Sequence, residues 1–197
     1  MLVGVTGSIA CGKSEFCNIL RDLGYLVIDC DEISHNVIKN GRVAYYEVLY
    51  EFGESILNSN KEINRKKLGK IVFSDIDKRK KLENIIHPKV IKEIKKYKKE
   101  PLVFFEVPLL FESNMEKYFD KIICVGASFN NQVKRIMIRD GLTQSEAMDR
   151  ILSQILVKDK MDRSDYKVYN DKTIIELRKE AIDIVNDIKK EVIDSNN

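Results

Sequence analysis

The hydrophobic and polar positions along the chain divide it into short apolar runs and longer amphipathic segments. Five runs have the length of strands buried in a sheet, at residues 2–6, 25–29, 101–108, 121–127 and 166–170. Helical periodicity lies between them. Residues 13–23, for example, have apolar positions on one face before Gly24, which suits a helix C-terminus. Strands that alternate with helices form parallel sheets covered on both faces. The pattern predicts an α/β protein with a central parallel five-stranded sheet in three layers.

A long, mostly helical segment separates the second strand from the third. Within residues 31–100, a helix is predicted from Asp75, as its cap, to Ile86, ending at the His87-Pro88 pair. The charged run at 92–100 is typical of a solvated helix face. No linker rich in Gly, Ser or Pro separates the segment, so we interpret it as a helical insertion rather than an independent domain.

A second helical segment covers residues 128–164. Thr143 and Glu146 form the T-x-x-E pattern of a capping box, and an apolar stripe follows at Ala147, Ile151 and Ile155. A last amphipathic helix is predicted over 173–193. We therefore predict a single domain over residues 1–197. Its parts are a core (1–30, 101–127 and 165–197), the insertion (31–100) and a helical lid (128–164).

Composition and charge narrow the function classes. The 197 residues include 34 Lys and Arg against 31 Asp and Glu, a balance too even for a general nucleic-acid-binding protein. No apolar run reaches the ~20 residues that span a bilayer, and no basic segment precedes the apolar start, so we expect no membrane association and a cytoplasmic location. The four cysteines form no metal-binding spacing and are expected to be reduced and mostly buried.

The strongest motif is the stretch VTGSIACGKS at residues 5–14. It matches the phosphate-binding loop G-x-x-x-x-G-K-S, placed between a predicted strand and a predicted helix. Its glycines allow a tight turn whose backbone N–H groups can surround phosphate oxygens at a helix N-terminus. Lys13 would reach the β and γ phosphates, and the Ser14 hydroxyl would bind Mg²⁺. The loop predicts a nucleoside triphosphate site with Mg²⁺, but by itself does not separate a kinase from a GTPase switch or a motor.

Acidic residues at the ends of two strands favour a kinase. Ligands of open parallel sheets gather at the carboxyl ends of the strands, where Asp29 and, just beyond it, Asp31 are placed. A carboxylate there can position an attacking hydroxyl or accept its proton. Alternatively, Asp31 caps the next helix and Asp29 is structural. Glu106, near the end of the third strand, could hold Mg²⁺-bound water or be a simple strand-end residue.

Basic residues of the predicted lid are candidates for phosphate contacts. Arg135 and Arg139 lie four residues apart, on one helix face, and Arg139 precedes the hinge-like Asp140-Gly141 turn. An arginine on a closing lid can neutralise charge on a transferring phosphoryl group. Surface pairing with nearby acids is the alternative for both, and Arg150 is a weaker candidate. The N-K-x-D signal of GTPases is absent, which weakens the switch hypothesis.

Nearly the whole chain resembles the dephospho-coenzyme A kinase family. The resemblance rests on VTGSIACGKS, GYLVIDCDEI, FGESIL, LGKIVFSD, IIHPKV, VPLLFES, RDGLTQSEAMDRILSQ and DYKVYND, in the family's order and spacing. It implies a P-loop kinase that uses ATP to phosphorylate the ribose 3′-hydroxyl of dephospho-CoA. It implies Asp31 as the base, Lys13 as the loop lysine and Arg139 as the lid arginine.

The resemblance also implies the binding residues. ATP would bind the loop, at Ser8, Ile9, Ala10, Cys11, Gly12, Lys13, Ser14 and Glu15, and the acceptor would bind near Asp31, His87, Pro108 and Leu109. His87 could instead only pack the turn before Pro88. The metal would lie near Ser14 and Glu106. The partners implied are small molecules; the oligomeric state is not determined, and a monomer is compatible with the sequence.

The loop departs from the family pattern T-G-G-I-G-x-G-K-S-T at three positions. Ser8, Ala10 and Glu15 replace Gly, Gly and Thr. Ser8 and Ala10 require backbone angles that a Cβ tolerates, and Glu15 adds negative charge close to the phosphates. We expect altered ATP affinity rather than lost function. The alternatives are another nucleoside or nucleotide kinase and a nucleotide-binding regulatory module.

Overall fold

The predicted parallel sheet is confirmed in a computed structural model, which describes residues 1–194. Its strands are β1 (Leu2–Gly7), β2 (Val27–Asp29), β3 (Val103–Glu106), β4 (Lys121–Gly126) and β5 (Tyr166–Tyr169). They lie in the order β2-β3-β1-β4-β5, and every neighbouring pair is parallel. The first strand of the chain is therefore central, and the loop that follows it emerges at the middle of the carboxyl edge.

The helices fall into two groups along the chain. Those outside the connection between β2 and β3 are α1 (Lys13–Asp22), α6 (Phe129–Asp140), α7 (Gln144–Leu152), α8 (Val157–Asp162) and α9 (Ile174–Asp194). Those between β2 and β3 are α2 (Cys30–Val37), α3 (Val43–Phe52), α4 (Arg65–Ser74) and α5 (Ile76–Ile94). Among the described residues, none of these helices is both long and apolar enough to cross a bilayer.

Contacts within the chain define two compact units. Unit 1 comprises residues 1–29 together with the chain from Lys98 onward, and unit 2 comprises Cys30–Tyr97. The single domain with a helical insertion at 31–100 and a lid at 128–164 remains a prediction.

The core of unit 1 lies between the sheet and the helices α1 and α9. Alternate residues of a strand point to opposite faces, so Val3 and Val5 share one face. They join Phe16 of α1 and Leu177 of α9 in one buried cluster. Phe105 points to the opposite face, where its ring lies 5.6 Å from that of Phe119. Apolar burial on both faces explains why the strands are continuous hydrophobic runs.

Two helix ends in unit 1 follow the predicted signals. The helix α1 ends in a Schellman motif, in which Gly24 N–H donates to the Arg21 carbonyl and Tyr25 N–H to the Leu20 carbonyl. The second of these bonds uses the Tyr25 N–H, which is therefore part of the helix end. The strand β2 begins only at Val27, two residues later than predicted. The Thr143–Glu146 capping box of α7 is confirmed. The predicted apolar stripe is wrong at Ile155, because α7 ends at Leu152.

Unit 2 is a helical unit with its own buried cluster. Tyr45 and Val48 of α3 contact Ile56 and Leu68 there. Asp75 caps α5 as predicted, accepting hydrogen bonds from the N–H groups of residues 77 and 78.

The predicted end of α5 at His87-Pro88 is wrong, because the helix continues to Ile94 with Pro88 inside it. An internal proline costs a helix about 3 kcal/mol. Val90 and Ile94, beyond the proline, are buried, and burying such side chains stabilises the continued helix by a similar amount, about 1.5–3 kcal/mol each.

Candidate active site

The phosphate loop joins the end of β1 to the start of α1. Both motif glycines are required by the space around them. A Cβ on Gly7 would lie 2.3 Å from the Val125 carbonyl oxygen, and one on Gly12 would lie 1.9 Å from Nδ2 of Asn170. Gly12 also has a φ of 86°, which disfavours any side chain. Another residue at Gly7 would displace the backbone, whereas one at Gly12 would strain the backbone and push Asn170 away from the Cys11 carbonyl to which it donates.

The two substitutions within the loop differ in their effect. Ala10 has a φ of 59°, in the left-handed region that costs a residue with a Cβ about 1–2 kcal/mol. Ser8 is not among the described residues with positive φ, and its hydroxyl donates a hydrogen bond to the Ile155 carbonyl at 3.2 Å. Backbone strain therefore falls on Ala10 alone, while Ser8 gains a partner.

The end of β3 meets the first turn of α1 at Glu106. Lys13 Nζ lies 2.5 Å from Glu106 Oε1, and the Ser14 hydroxyl donates to the same oxygen at 2.8 Å. Arg21, two helical turns further along α1, donates to Oε2 at 3.4 Å. The structure thus brings three of the residues predicted from the sequence, Lys13, Ser14 and Glu106, to one point.

The charge of Glu106 depends on these neighbours. Burial opposes ionisation of its nearly enclosed side chain and would raise its pKa. The Lys13 ammonium, with the hydrogen bonds from Ser14 and Arg21, outweighs burial and lowers the pKa of Glu106 below its ordinary value. Glu106 is therefore a carboxylate at neutral pH, next to the loop lysine.

The two candidate aspartates belong to different units. Asp29 ends β2 and lies opposite Glu106 in the parallel register, so both are at the carboxyl edge of the sheet. Asp31 is the second residue of α2, in unit 2, and lies in the first turn of that helix rather than at the capping position before it. Its role as a base remains a prediction.

The lid arginines have different partners. Arg135 donates to the Ala10 carbonyl at 3.2 Å and to the Asn170 carbonyl at 2.7 Å, so it contacts the phosphate loop through the backbone. Arg139 has a half-exposed side chain and donates two hydrogen bonds to the neighbouring Asp140, which also accepts from Arg150. Phosphate contacts of either arginine remain predictions.

The remaining predicted residues are placed as follows. Glu15 is exposed in the first turn of α1. Pro108, just beyond β3, accepts a hydrogen bond from the Thr6 hydroxyl through its carbonyl at 3.4 Å, and the next residue, Leu109, is partly exposed. In unit 2, His87 is half-buried within α5, and burial lowers its pKa.

All four cysteines are buried thiols. Burial raises the pKa of Cys11, inside the loop, to about 11, and that of Cys124 to about 12. Thiols of this kind react slowly at neutral pH because the reactive form is the thiolate.

Several residues that hold the site were missed by the sequence reasoning. Arg21 lies seven residues after Ser14, hence on the same face of α1, a spacing that could have indicated it. Gln132 lies one turn before Arg135 and could have been found in the same way. Gln154 and Asn170 are in loops and contact the phosphate loop across about 150 residues of chain, which no local pattern indicates.

A glycine-rich loop after the central strand of a parallel sheet, with Lys and Ser beside a strand-end carboxylate, defines the class of P-loop nucleotide-binding proteins, which includes the P-loop kinases. A family model described as dephospho-CoA kinase matches residues 1–176. The chain therefore belongs to the dephospho-CoA kinase family.

Individual relatives agree with this assignment. The dephospho-CoA kinase of Geobacillus kaustophilus is 39% identical over 192 residues, covering 94% of this chain and 95% of the relative. The dephospho-CoA kinase of Listeria monocytogenes is 37% identical over 185 residues, covering 91% of this chain and 92% of the relative. The solved dephospho-CoA kinase from Campylobacter jejuni has a TM-score of 0.72 at 33% identity, covering 96% of this chain and 98% of its own.

Proposed function

We propose that this chain transfers the γ-phosphoryl group of ATP to the ribose 3′-hydroxyl of dephospho-CoA, giving coenzyme A. The observation that carries the proposal is the match of the dephospho-CoA kinase family to residues 1–176. As a kinase of this family, the chain uses ATP. The loop geometry supports the same conclusion, because Lys13 and Ser14 begin a helix whose N-terminus favours phosphate.

The loop residues would hold the triphosphate and the metal. Mg²⁺, when bound, neutralises charge on the phosphate oxygens. The Ser14 hydroxyl and the Glu106 carboxylate are the oxygen ligands that Mg²⁺ prefers, and they lie 2.8 Å apart. The described residues contain no cluster of three or more His, Cys, Asp or Glu that could hold a metal. This suits Mg²⁺, which commonly takes one or two protein ligands and completes its shell with phosphates and water.

The acceptor side of the reaction is assigned to residues that the family resemblance indicates. Asp31 would accept the proton of the attacking hydroxyl or orient it, while Lys13 and Arg139 stabilise the charge on the transferring group. His87, Pro108 and Leu109 would contact the acceptor. The division into core, insertion and lid is part of the same proposal, and a cytoplasmic location stays a prediction from the sequence.

One assay tests the function against both alternatives. The purified chain is incubated with Mg-ATP and a panel of acceptors, and ADP formation is measured. We expect ADP with dephospho-CoA, together with coenzyme A as product. ADP with nucleoside monophosphates alone would indicate another nucleotide kinase. Nucleotide binding without turnover on any acceptor would indicate a regulatory module.

A further inference from the structure

Ile9, in the phosphate loop, has both of its backbone polar groups bound by glutamine side chains. Gln132 Nε2 donates to the Ile9 carbonyl at 2.8 Å, and the Ile9 N–H donates to Gln154 Oε1 at 3.0 Å. A carboxamide offers both a donor and an acceptor, and each glutamine here uses the one that its partner requires. We name Gln132 and Gln154 the Ile9 clamp.

The helix α6 fixes the first member of the Ile9 clamp. Gln132 is only 1% exposed, so its amide is held in a buried position with the Ile9 carbonyl as partner. Arg135, one turn later on the same face, donates to the next carbonyl of the loop, that of Ala10. One face of α6 therefore binds two consecutive loop carbonyls.

A separate network fixes the second member. The residue after Gln154 is Ile155, whose N–H donates to Glu112 Oε1 at 3.2 Å and whose carbonyl accepts from the Ser8 hydroxyl. Glu112 in turn forms an ion pair of 2.7 Å with Lys160, whose side chain is completely buried. Gln154 is thus held beside the loop by bonds on the adjacent residue.

The Ile9 clamp acts directly beside the strained residue of the phosphate loop. The next residue, Ala10, has the strained positive φ, and without external bonds the loop could relax away from it. In a trans peptide the carbonyl and the following N–H point in opposite directions. Holding the Ile9 carbonyl against Gln132 therefore sets the direction of the Ala10 N–H, one of the groups that surround phosphate in such loops.

We propose that Gln132 and Gln154 are positioning residues, which hold the phosphate loop in the conformation that binds the nucleotide. The inference rests on the proposed function only in that the loop binds ATP. It does not depend on the identity of the acceptor.

The opposite polarity of the two hydrogen bonds allows a matched test. Gln132→Glu removes the donor and places a carboxylate against a carbonyl oxygen, whereas Gln154→Glu keeps an acceptor for the Ile9 N–H. Both variants add one negative charge near the loop, at a buried position in Gln132→Glu and at a partly exposed one in Gln154→Glu, so the uncharged variants described below separate hydrogen-bond polarity from the burial of the charge. Gln144→Glu, at an exposed position of α7, controls for the added charge alone.

Binding of Mg-ADP is measured by calorimetry, which requires no acceptor and so stays informative if the acceptor assay fails. We expect the affinity of Gln132→Glu for Mg-ADP to be at least about tenfold lower than that of Gln154→Glu. The KM for ATP should rise while kcat changes little, because the loop holds the nucleotide in the ground state and the transition state alike. If the two glutamines only stabilised the fold, the variants would lower the midpoint of unfolding but would not raise the KM for ATP at a nearly constant kcat.

Uncharged variants provide a second measurement if Gln132→Glu fails to fold. Gln132→Met and Gln154→Met each remove one bond to Ile9, and each should weaken Mg-ADP binding by about fivefold to tenfold. Gln154→Glu should bind more tightly than Gln154→Met. Equal affinity of the two glutamate variants, or wild-type affinity in both methionine variants, would overturn the proposal.

Discussion

The ammonium of Lys13 and the carboxylate of Glu106 form an ion pair at the point where the phosphate loop becomes α1. The lysine of such a loop also serves the β and γ phosphates. In the proposed site, Glu106 and the nucleotide would therefore compete for the same cation. A Mg²⁺ ion held by Ser14 and Glu106 would supply positive charge beside the carboxylate, which also keeps Arg21 as a partner when Lys13 turns to phosphate.

The first prediction concerns this competition. In Glu106→Gln, Lys13 is no longer held by charge, so ADP should bind about threefold to tenfold more tightly without Mg²⁺. If Glu106 holds Mg²⁺ as proposed, the same variant would lack the metal's carboxylate ligand, and its kcat with Mg-ATP should fall by about a hundredfold. Calorimetry and steady-state kinetics measure the two effects. Glu93→Gln, in an exposed pair with Lys96, is the matched control and should change neither.

The pH dependence of stability gives a second prediction. The pKa of Glu106 is lower in the folded chain than its ordinary value of 4.5, so the unfolded chain binds this proton more readily. The stabilisation is therefore present above about pH 4.5 and is lost as the pH falls through the folded-state pKa. Urea unfolding at about pH 6 and about pH 3.5 measures it. Between these pH values the free energy of unfolding should decrease less in Glu106→Gln than in the wild type. An identical decrease would contradict the lowered pKa of Glu106.

A third prediction tests the base. Asp31→Asn keeps the shape of the side chain but cannot accept the proton, so kcat should fall by about 10²- to 10⁴-fold. Binding of Mg-ATP should remain close to normal because the loop is intact. Asp77→Asn, in the first turn of α5, is the matched control for an acid at a helix N-terminus. A near-normal kcat in Asp31→Asn would remove this residue from the role of base.

A fourth prediction separates the two arginines that bind Asp140. If Arg139 acts on the transferring phosphoryl group, Arg139→Met should lower kcat by about a hundredfold or more. Arg150→Met removes the other partner of the same carboxylate and should lower kcat by less than about threefold. Equal effects of the two variants would show that the arginines serve only to hold Asp140.

A fifth prediction follows from the strained alanine. Ala10→Gly removes the Cβ from a left-handed residue and should stabilise the chain by up to about 1 kcal/mol, which the greater freedom of glycine in the unfolded chain partly offsets. Denaturant unfolding measures the change. Ala147→Gly, a buried helical position of α7, should act in the opposite direction.

Much of the fold could be predicted because its signals are local. The buried runs gave the five strands, and Gly24 and the Thr143–Glu146 box marked helix ends. The extension of α5 past Pro88 could not be predicted, because it depends on the burial of Val90 and Ile94. Tertiary packing there outweighs a local helix-breaking signal.

The candidate site likewise contains residues that local motifs predict and residues that only tertiary contacts identify. Lys13 and Ser14 are fixed by one motif, and the parallel register brings Glu106 to them. The side chains that hold the loop, Gln132 and Gln154, come from distant segments, and their role depends on hydrogen bonds that only the folded chain creates.

The burial of Cys11 has a practical consequence. With a pKa of about 11, its thiol is almost entirely protonated at neutral pH, and its side chain is fully buried, near Ser8 of the loop and Ala127 beyond β4. An alkylating reagent can reach it only when the structure around it opens locally, so the labelling rate reports local opening rather than intrinsic reactivity. The chain thus carries a native probe inside its nucleotide loop, and the slowing of labelling by nucleotide would measure how far the bound state closes it.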